Sequence, residues 1–398
     1  MSMCSYRLNR RLTDDPGWNN PEYEAFLADD LTAFHQSVPG YQSTPLVSLT
    51  SLAAQLGVKE VIVKDESHRF GLKAFKAMGA SYAIYRFIRR EWERQLGVQF
   101  ELSNLYDPVA LGQLNLRPFC TATDGNHGRA VAWFANKIGQ RSVIYVPSCT
   151  VVARIENIRR EAAEVIVVDG GYDETVRQMA SDADRQGWHV ISDTSYEGYT
   201  QVPAWIMAAY TTMFREVDEA LTVRGSDELT HVFVQAGVGS FAGAAAWYYF
   251  HKPKRPFLLT VEPVEADCVF QSIDGVDGEP KVSQGSQKTI MAGLNCGTIS
   301  LNAWPLLRDR VDMALAVSDD YSRKAMRQYY YPHGDDSQII AGESGAAGLG
   351  ALLALASSAN LKDVMAKAGI GPESVILLFN TEGDTDPEHF QSIVASRQ

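Results

Sequence analysis

Short, nearly unbroken apolar runs rich in β-branched residues recur along this chain. Each is followed by a Gly- or Asp-containing turn and then by an amphipathic stretch. VIVKDES (61–67) leads into FKAMGASYAIYRFIRREWERQLG (75–97), and FCTATDG (119–125) into HGRAVAWFANKIG (127–139), with Gly139 as a C-terminal cap. SVIYVP (142–147), EVIVVDG (164–170) and HVISD (189–193) continue the rhythm. THVFVQAG (230–237), FLLTVEP (257–263), VDMALAVSD (311–319) and SVILLFNTEG (374–383) repeat it later. A strand that is apolar on both faces has to be covered on both. The alternation therefore predicts an α/β fold of open, twisted, mostly parallel sheets with helices on each face. At 398 residues the chain is too long for one small core, and two domains are expected.

In such sheets ligands sit at the carboxyl ends of strands, where loops enter helices. That places candidate site residues in TDGNHG, SDTSYEG, QAGVGS, AGESGAAG and FNTEGDTD. The stretches 101–117 and 272–288 read as loops or a mobile flap. Acidic residues outnumber basic ones 48 to 36, and the net charge of −12 argues against a nucleic-acid or anionic-membrane partner. Five scattered cysteines (Cys4, Cys120, Cys149, Cys268, Cys296) form neither a disulfide framework nor a zinc motif, and the eight histidines show no ligand spacing, so no metal is expected. The first residues carry no apolar signal region, and the uncharged run 232–250 is broken by glycines; a cytoplasmic protein without a membrane span is expected.

Three segments carry chemistry. QAGVGS (235–240) follows a strand and opens a helix, where glycines let amides converge on a phosphate. A dinucleotide fingerprint would need a glycine one residue before Gly243; with Glu262 ending the next strand, a nicotinamide dehydrogenase stays open, as does a glycine turn serving only close packing. Lys73 and Lys76 open a helix, where the dipole disfavours the ammonium form, as a Schiff-base lysine requires; a solvated basic face is the alternative. In Thr123-Asp124-Gly125-Asn126-His127 the amides could bind a carboxylate and Asp124 could act as a base, or Asp124 and Asn126 could cap the helix. His127 and His189 read as structural on spacing alone, and Ser344 as a helix cap.

Together, VKDESHRFGLKAFKAMGA, ATDGNHGRAVAWFA, SDTSYEGYTQVPAWIM, QAGVGSFAGA, VEPVEADC, TIMAGLNCG, AGESGAAGLG and NTEGDTD resemble the fold-type II pyridoxal-phosphate enzymes, the tryptophan synthase β-like group, over nearly the whole chain. They are most similar to the diaminopropionate ammonia-lyase branch. Ala74-Phe75-Lys76 replaces the general Ser-Phe-Lys, Asp124 stands where a serine is usual, and Ala236 opens the glycine run; Lys73 and Asn380 differ from the branch itself.

The resemblance implies pyridoxal 5'-phosphate as cofactor. It implies Lys76 as the Schiff-base lysine and the base for the L-isomer, and Asp124 as the base for the D-isomer. Asn126 would meet the cofactor's phenolic oxygen, Gly237, Val238, Gly239 and Ser240 its phosphate, and Thr381 its pyridine nitrogen. Asp193 would lie near the substrate's distal amine, with Thr123, Gly125 and His127 completing the substrate loop. The implied reaction is α,β-elimination of 2,3-diaminopropionate to pyruvate and two ammonia, with a serine or threonine dehydratase as alternative. The expected division is a large cofactor-binding domain (1–75 and 200–398) and a small domain (76–199), in a homodimer.

Overall fold

The computed structural model describes residues 3–14, 17–18, 21–123, 125–226, 228–275, 277–357 and 362–396. Eleven strands run through the described residues: β1 (Cys4–Leu8), β2 (Leu46–Ser48), β3 (Glu60–Asp65), β4 (Phe119–Ala122), β5 (Ser142–Pro147), β6 (Glu164–Val168), β7 (His189–Val190), β8 (His231–Gln235), β9 (Phe257–Pro263), β10 (Met313–Val317) and β11 (Val375–Asn380). The chain forms two compact units. The larger comprises Met1–Asn20, Ser43–Ala74 and Met213–Gln398, and the smaller Pro21–Gln42 and Phe75–Thr212.

In the larger unit seven strands lie in the order β1-β10-β9-β8-β11-β3-β2. The five inner strands are parallel, and β8, β10 and β11 are buried along their whole length, as their unbroken apolar sequences require. Both edges are short antiparallel strands, β1 on β10 and β2 on β3, which the apolar pattern did not reveal.

A cluster of charge is buried beside β3. Lys64 Nζ donates to Thr44 O at 2.8 Å and to Glu216 Oε2 at 2.5 Å. Arg69 donates to both oxygens of Glu66, each at 2.8 Å, and to both oxygens of Glu216 at 2.9 and 2.7 Å. The Thr44 hydroxyl donates to Glu66 at 2.6 Å. Two cations and two anions cancel, so the desolvation each would suffer alone is offset by its neighbours. Burial alone would raise the Glu216 carboxyl, but Arg69 and then Lys64 overcome it and hold the group below its ordinary value. Beyond the cluster the chain turns through Phe70 and Lys73, both left-handed (φ 51° and 57°). Lys73 is tied down by Gly383 N, which donates to its carbonyl at 2.9 Å, and by a 2.7 Å ion pair with Asp384.

In the smaller unit four parallel strands lie in the order β6-β5-β4-β7. The helix Lys76–Leu96 ends at left-handed Gly97 and packs against the helices Asn126–Lys137 and Gln201–Ala209. The last approach is close enough that a Cβ on Gly79 would lie 2.6 Å from Ile206 Cγ2.

The expected division at 76 and 199 differs from this grouping in two stretches. Residues 21–42 group with the smaller unit because Phe34 stacks on Tyr85 at 4.5 Å and Asp30 accepts from the hydroxyls of Tyr82 and Tyr85. Residues 200–212 group there because their helix covers Lys76–Leu96. The expected strand 189–193 pairs only at His189–Val190. Within 101–117 there is a 3-10 turn (Leu102–Tyr106) and one helical turn (Pro108–Leu111) capped by Asp107. The described part of 272–288 is irregular, and Ser286 and Gln287 donate to Glu265. All five cysteines are free, and among the described residues no helix is long and apolar enough to cross a membrane.

Removing one member of the buried cluster strands the others. Glu216→Ala is expected to cost ~3–5 kcal/mol in urea unfolding. Because the folded-state value of Glu216 lies below its ordinary 4.5, its contribution is complete above that pH and is lost as the pH falls below it; the acid limb of a stability–pH curve checks this, and Glu216→Ala should flatten it.

Candidate active site

Lys76 is the first residue of its helix and follows Phe75, which offers no side-chain cap. Its Nζ lies 2.6 Å from Asp193 Oδ2 and 5.2 Å from the Phe75 ring centroid. Asp193 stands just past β7, at the carboxyl end of that strand, where parallel sheets place their ligands. Burial pushes the Asp193 carboxyl up, but the charge of Lys76 and then His127 outweigh it and hold the group well below the usual carboxylate range. His127 Nε2 lies 2.7 Å from Ile191 O, and Nδ1 lies 3.8 Å from Asp193 Oδ2. Burial lowers the His127 imidazole. Tyr210, buried and with its phenol raised by that burial, interacts with Lys76. No spacing or motif singles out Tyr210, which reads as one more aromatic at the end of a packed helix.

The loop after β4 is built on Thr123. Its Oγ1 accepts from Gly125 N at 3.0 Å and Gly128 N at 3.1 Å, fixing the entry to the helix that begins at Asn126. Gly125 takes φ 154°, and a Cβ on Gly128 would lie 2.2 Å from Thr123 Cγ2. Asp124 lies outside the described residues.

In the larger unit the segment 236–240 turns from β8 into the eleven-residue helix Ser240–Phe250. Gly239 is left-handed at φ 91°, and a Cβ there would lie 2.8 Å from Leu307 Cδ1; one on Gly237 would lie 3.1 Å from Cys296 Sγ. Ser300 N donates to Val238 O, while the amides of Gly237, Val238 and Gly239 find no acceptor among the described residues. Gln235 Nε2 donates to Phe379 O at 2.7 Å, joining the start of this turn to the end of β11, beyond which Thr381 is buried. Asn380 is committed to Asp65 Oδ1 at 2.7 Å and Ile340 O at 2.9 Å. Glu262, weighed as a ribose-binding acid, instead accepts from Val269 N and Phe270 N at 2.8 and 2.6 Å, and burial pushes its carboxyl up to about 8. Ser344 accepts from Gly293 N and donates its own amide to Glu382, a structural use.

The pyridoxal-phosphate dependent enzyme family model matches residues 38–366. The chain belongs to that family. It is 40% identical over 380 residues, 95% of this chain and 94% of the relative, to diaminopropionate ammonia-lyase of Escherichia coli K12. It is 38% identical over 371 residues, 92% of each chain, to the enzyme of the same name from Salmonella typhimurium LT2. The crystal structure of the Escherichia coli enzyme with an aminoacrylate–PLP azomethine reaction intermediate matches with TM-score 0.88 at 36% identity, over 99% of this chain and 97% of that one.

A pyridoxal-phosphate enzyme of fold type II needs an anion cradle and a reactive amine, and these residues fit. Amides without acceptors among the described residues, at a turn where a Cβ on Gly239 would collide with Leu307, could cradle an anion at a helix N-terminus. Lys76 offers an amine with a carboxylate beside it. No cluster of three or more His, Cys, Asp and Glu side chains among the described residues could hold a metal ion. Thr123→Val keeps the shape of its side chain but strands two buried amides; it is expected to destabilise the chain by ~2–3 kcal/mol in urea unfolding, while Thr123→Ser is expected to recover most of that loss.

Proposed function

We propose that this chain eliminates ammonia from 2,3-diaminopropionate, and that water hydrolyses the product to pyruvate and a second ammonia. The observation that carries the reading is the Lys76–Asp193 pair at 2.6 Å, set in a chain 40% identical over 380 residues to a diaminopropionate ammonia-lyase. Pyridoxal phosphate, when bound, supplies the electron sink for charge developing at the substrate's α-carbon. The amides of Gly237, Val238 and Gly239, with Ser240, hold its phosphate; Asn126 donates to its phenolic oxygen and Thr381 meets its pyridine nitrogen. Lys76 supplies the amine that holds it covalently and takes the α-proton of the L-isomer, and Asp124 takes that of the D-isomer.

Thr123, Gly125 and His127 shape the loop that receives the substrate carboxylate. Asp193 accepts the β-ammonium. A carboxylate in this setting is costly to leave unpaired, which favours a β-amine over a β-hydroxyl. By this reading the seven-stranded unit binds the cofactor, the four-stranded unit carries the lysine and the substrate loop, and the chain is a cytoplasmic homodimer.

The test is the visible spectrum of the purified protein before and after D,L-diaminopropionate, with pyruvate assayed in the same cuvette. A yellow band that changes, with pyruvate released, is expected; Lys76→Ala should lose both. A yellow protein that makes pyruvate from D-serine but not from diaminopropionate would point to the dehydratase instead. Asp124→Asn is expected to lower D-isomer turnover by about 100-fold or more while leaving the L-isomer nearly untouched, and equal losses would sink the two-base scheme.

A further inference from the structure

The two ring nitrogens of His127 have unequal surroundings. Nε2 lies 2.7 Å from the carbonyl oxygen of Ile191, which can only accept, so Nε2 carries a proton and donates it. Nδ1 is left as a bare lone pair. It is buried without a hydrogen-bond partner among the described residues, on a side chain only 6% exposed. It lies 3.8 Å from Asp193 Oδ2, the same oxygen that accepts from Lys76 Nζ at 2.6 Å. One carboxylate oxygen thus stands between a protonated amine and an unprotonated imidazole nitrogen.

Charge decides what such an arrangement can do. Ammonium, carboxylate and neutral imidazole sum to zero. To react as a nucleophile Lys76 must shed a proton, and that would leave the carboxylate of Asp193 without a counter-charge. If the proton reaches Nδ1, an N–H bond breaks on Lys76, one forms on His127, Asp193 ends as it began, and the cluster stays neutral. On protonation the long Nδ1 to Oδ2 separation closes to a charge-assisted hydrogen bond of ~2.8 Å.

We propose that His127 is the proton store of this site, taking the Lys76 proton by way of Asp193 when the amine enters covalent chemistry and returning it when Lys76 is released. The proposal rests on the reading of Lys76 as the Schiff-base lysine. It makes His127 a positioning residue that acts through Asp193. Burial and the charge of Lys76 keep a second proton off His127 while the lysine is charged, and Asp193 favours it. Tyr199 spends its hydroxyl on Val190 O and Ser192 N, Tyr210 sits against Lys76, and Arg154 of the helix Val152–Arg159 packs its stem at Gly125; Asp124 lies outside the described residues.

Histidine NMR titration of the full-length chain tests the coupling, with His127→Gln identifying the resonance. In the parent, His127 is expected to titrate below the ordinary imidazole range. In Lys76→Met, which removes the competing charge, it should move up by about one pH unit or more, and adding Asp193→Asn should bring it back down. A His127 titration that ignores Lys76→Met overturns the proposal. His127→Gln keeps a donor toward Ile191 O but cannot store a proton. Its uptake of pyridoxal phosphate near neutral pH, followed by absorbance, is expected to slow roughly 100-fold, with the parent's pH dependence lost and its circular dichroism and melting retained. Unchanged uptake in a folded variant also overturns the proposal. The titration needs no cofactor, so its failure is distinct from failure of the pyridoxal-phosphate reading, which the visible spectrum reports.

Discussion

Two positive and two negative side chains meet inside the seven-stranded unit, and the local course of the backbone follows from keeping them neutral. Lys64 sits on β3 between β11 and β2, Glu66 and Arg69 belong to the turn that follows, and Glu216 comes from the helix Thr211–Arg224. Arg69 grips both acids through both oxygens of each, which ties the turn to one geometry. An isolated charge at this depth would be expelled or neutralised; four together are stable only with complete pairing. The chain therefore reaches Lys73 along a fixed path and accepts two left-handed non-glycine residues, Phe70 and Lys73 itself, on the way. The helix that starts with Lys76 begins three residues later.

The second cluster works on a different principle. Lys76, Asp193 and His127 are paired incompletely, with one imidazole nitrogen unused. Where the first cluster holds the backbone by pairing its charges, this one leaves His127 Nδ1 without a hydrogen-bond partner among the described residues. Incomplete pairing inside a protein is costly, and it persists where surrounding structure enforces it: the Ile191 carbonyl fixes the imidazole on one side and the helix start fixes the amine on the other.

Much of this was legible in the chain itself. Strands β5 and β9 fall on the runs that mark them, and the helix expected over 75–97 spans Lys76–Leu96. A strand buried on both faces leaves a long apolar signature, whereas three- and five-residue antiparallel edges such as β2 and β1 do not. The loops bearing Lys76, Gly125 and Gly239 were found because turns into helices need particular residues. Long-range pairings were not visible. Glu216 lies 152 positions from Lys64, and Asp193 lies 117 from Lys76, so no spacing rule connects them. Glu262 shows the opposite error: its place at a strand end suggested a ligand, but the fold uses it to hold two amides of its own chain.

The order of the seven strands also governs how the protein can be made. β11 lies between β8 and β3, so the centre of the large sheet is filled by residues 375–380, synthesised after every other strand of that sheet. Every strand of the four-stranded sheet has been synthesised by residue 190. For the interval between, β3 and β8 each wait with an unpaired apolar edge, the kind of surface that invites association with other chains. The larger unit thus depends on protection during synthesis, and loss of even the final strand would divide its sheet into two pieces.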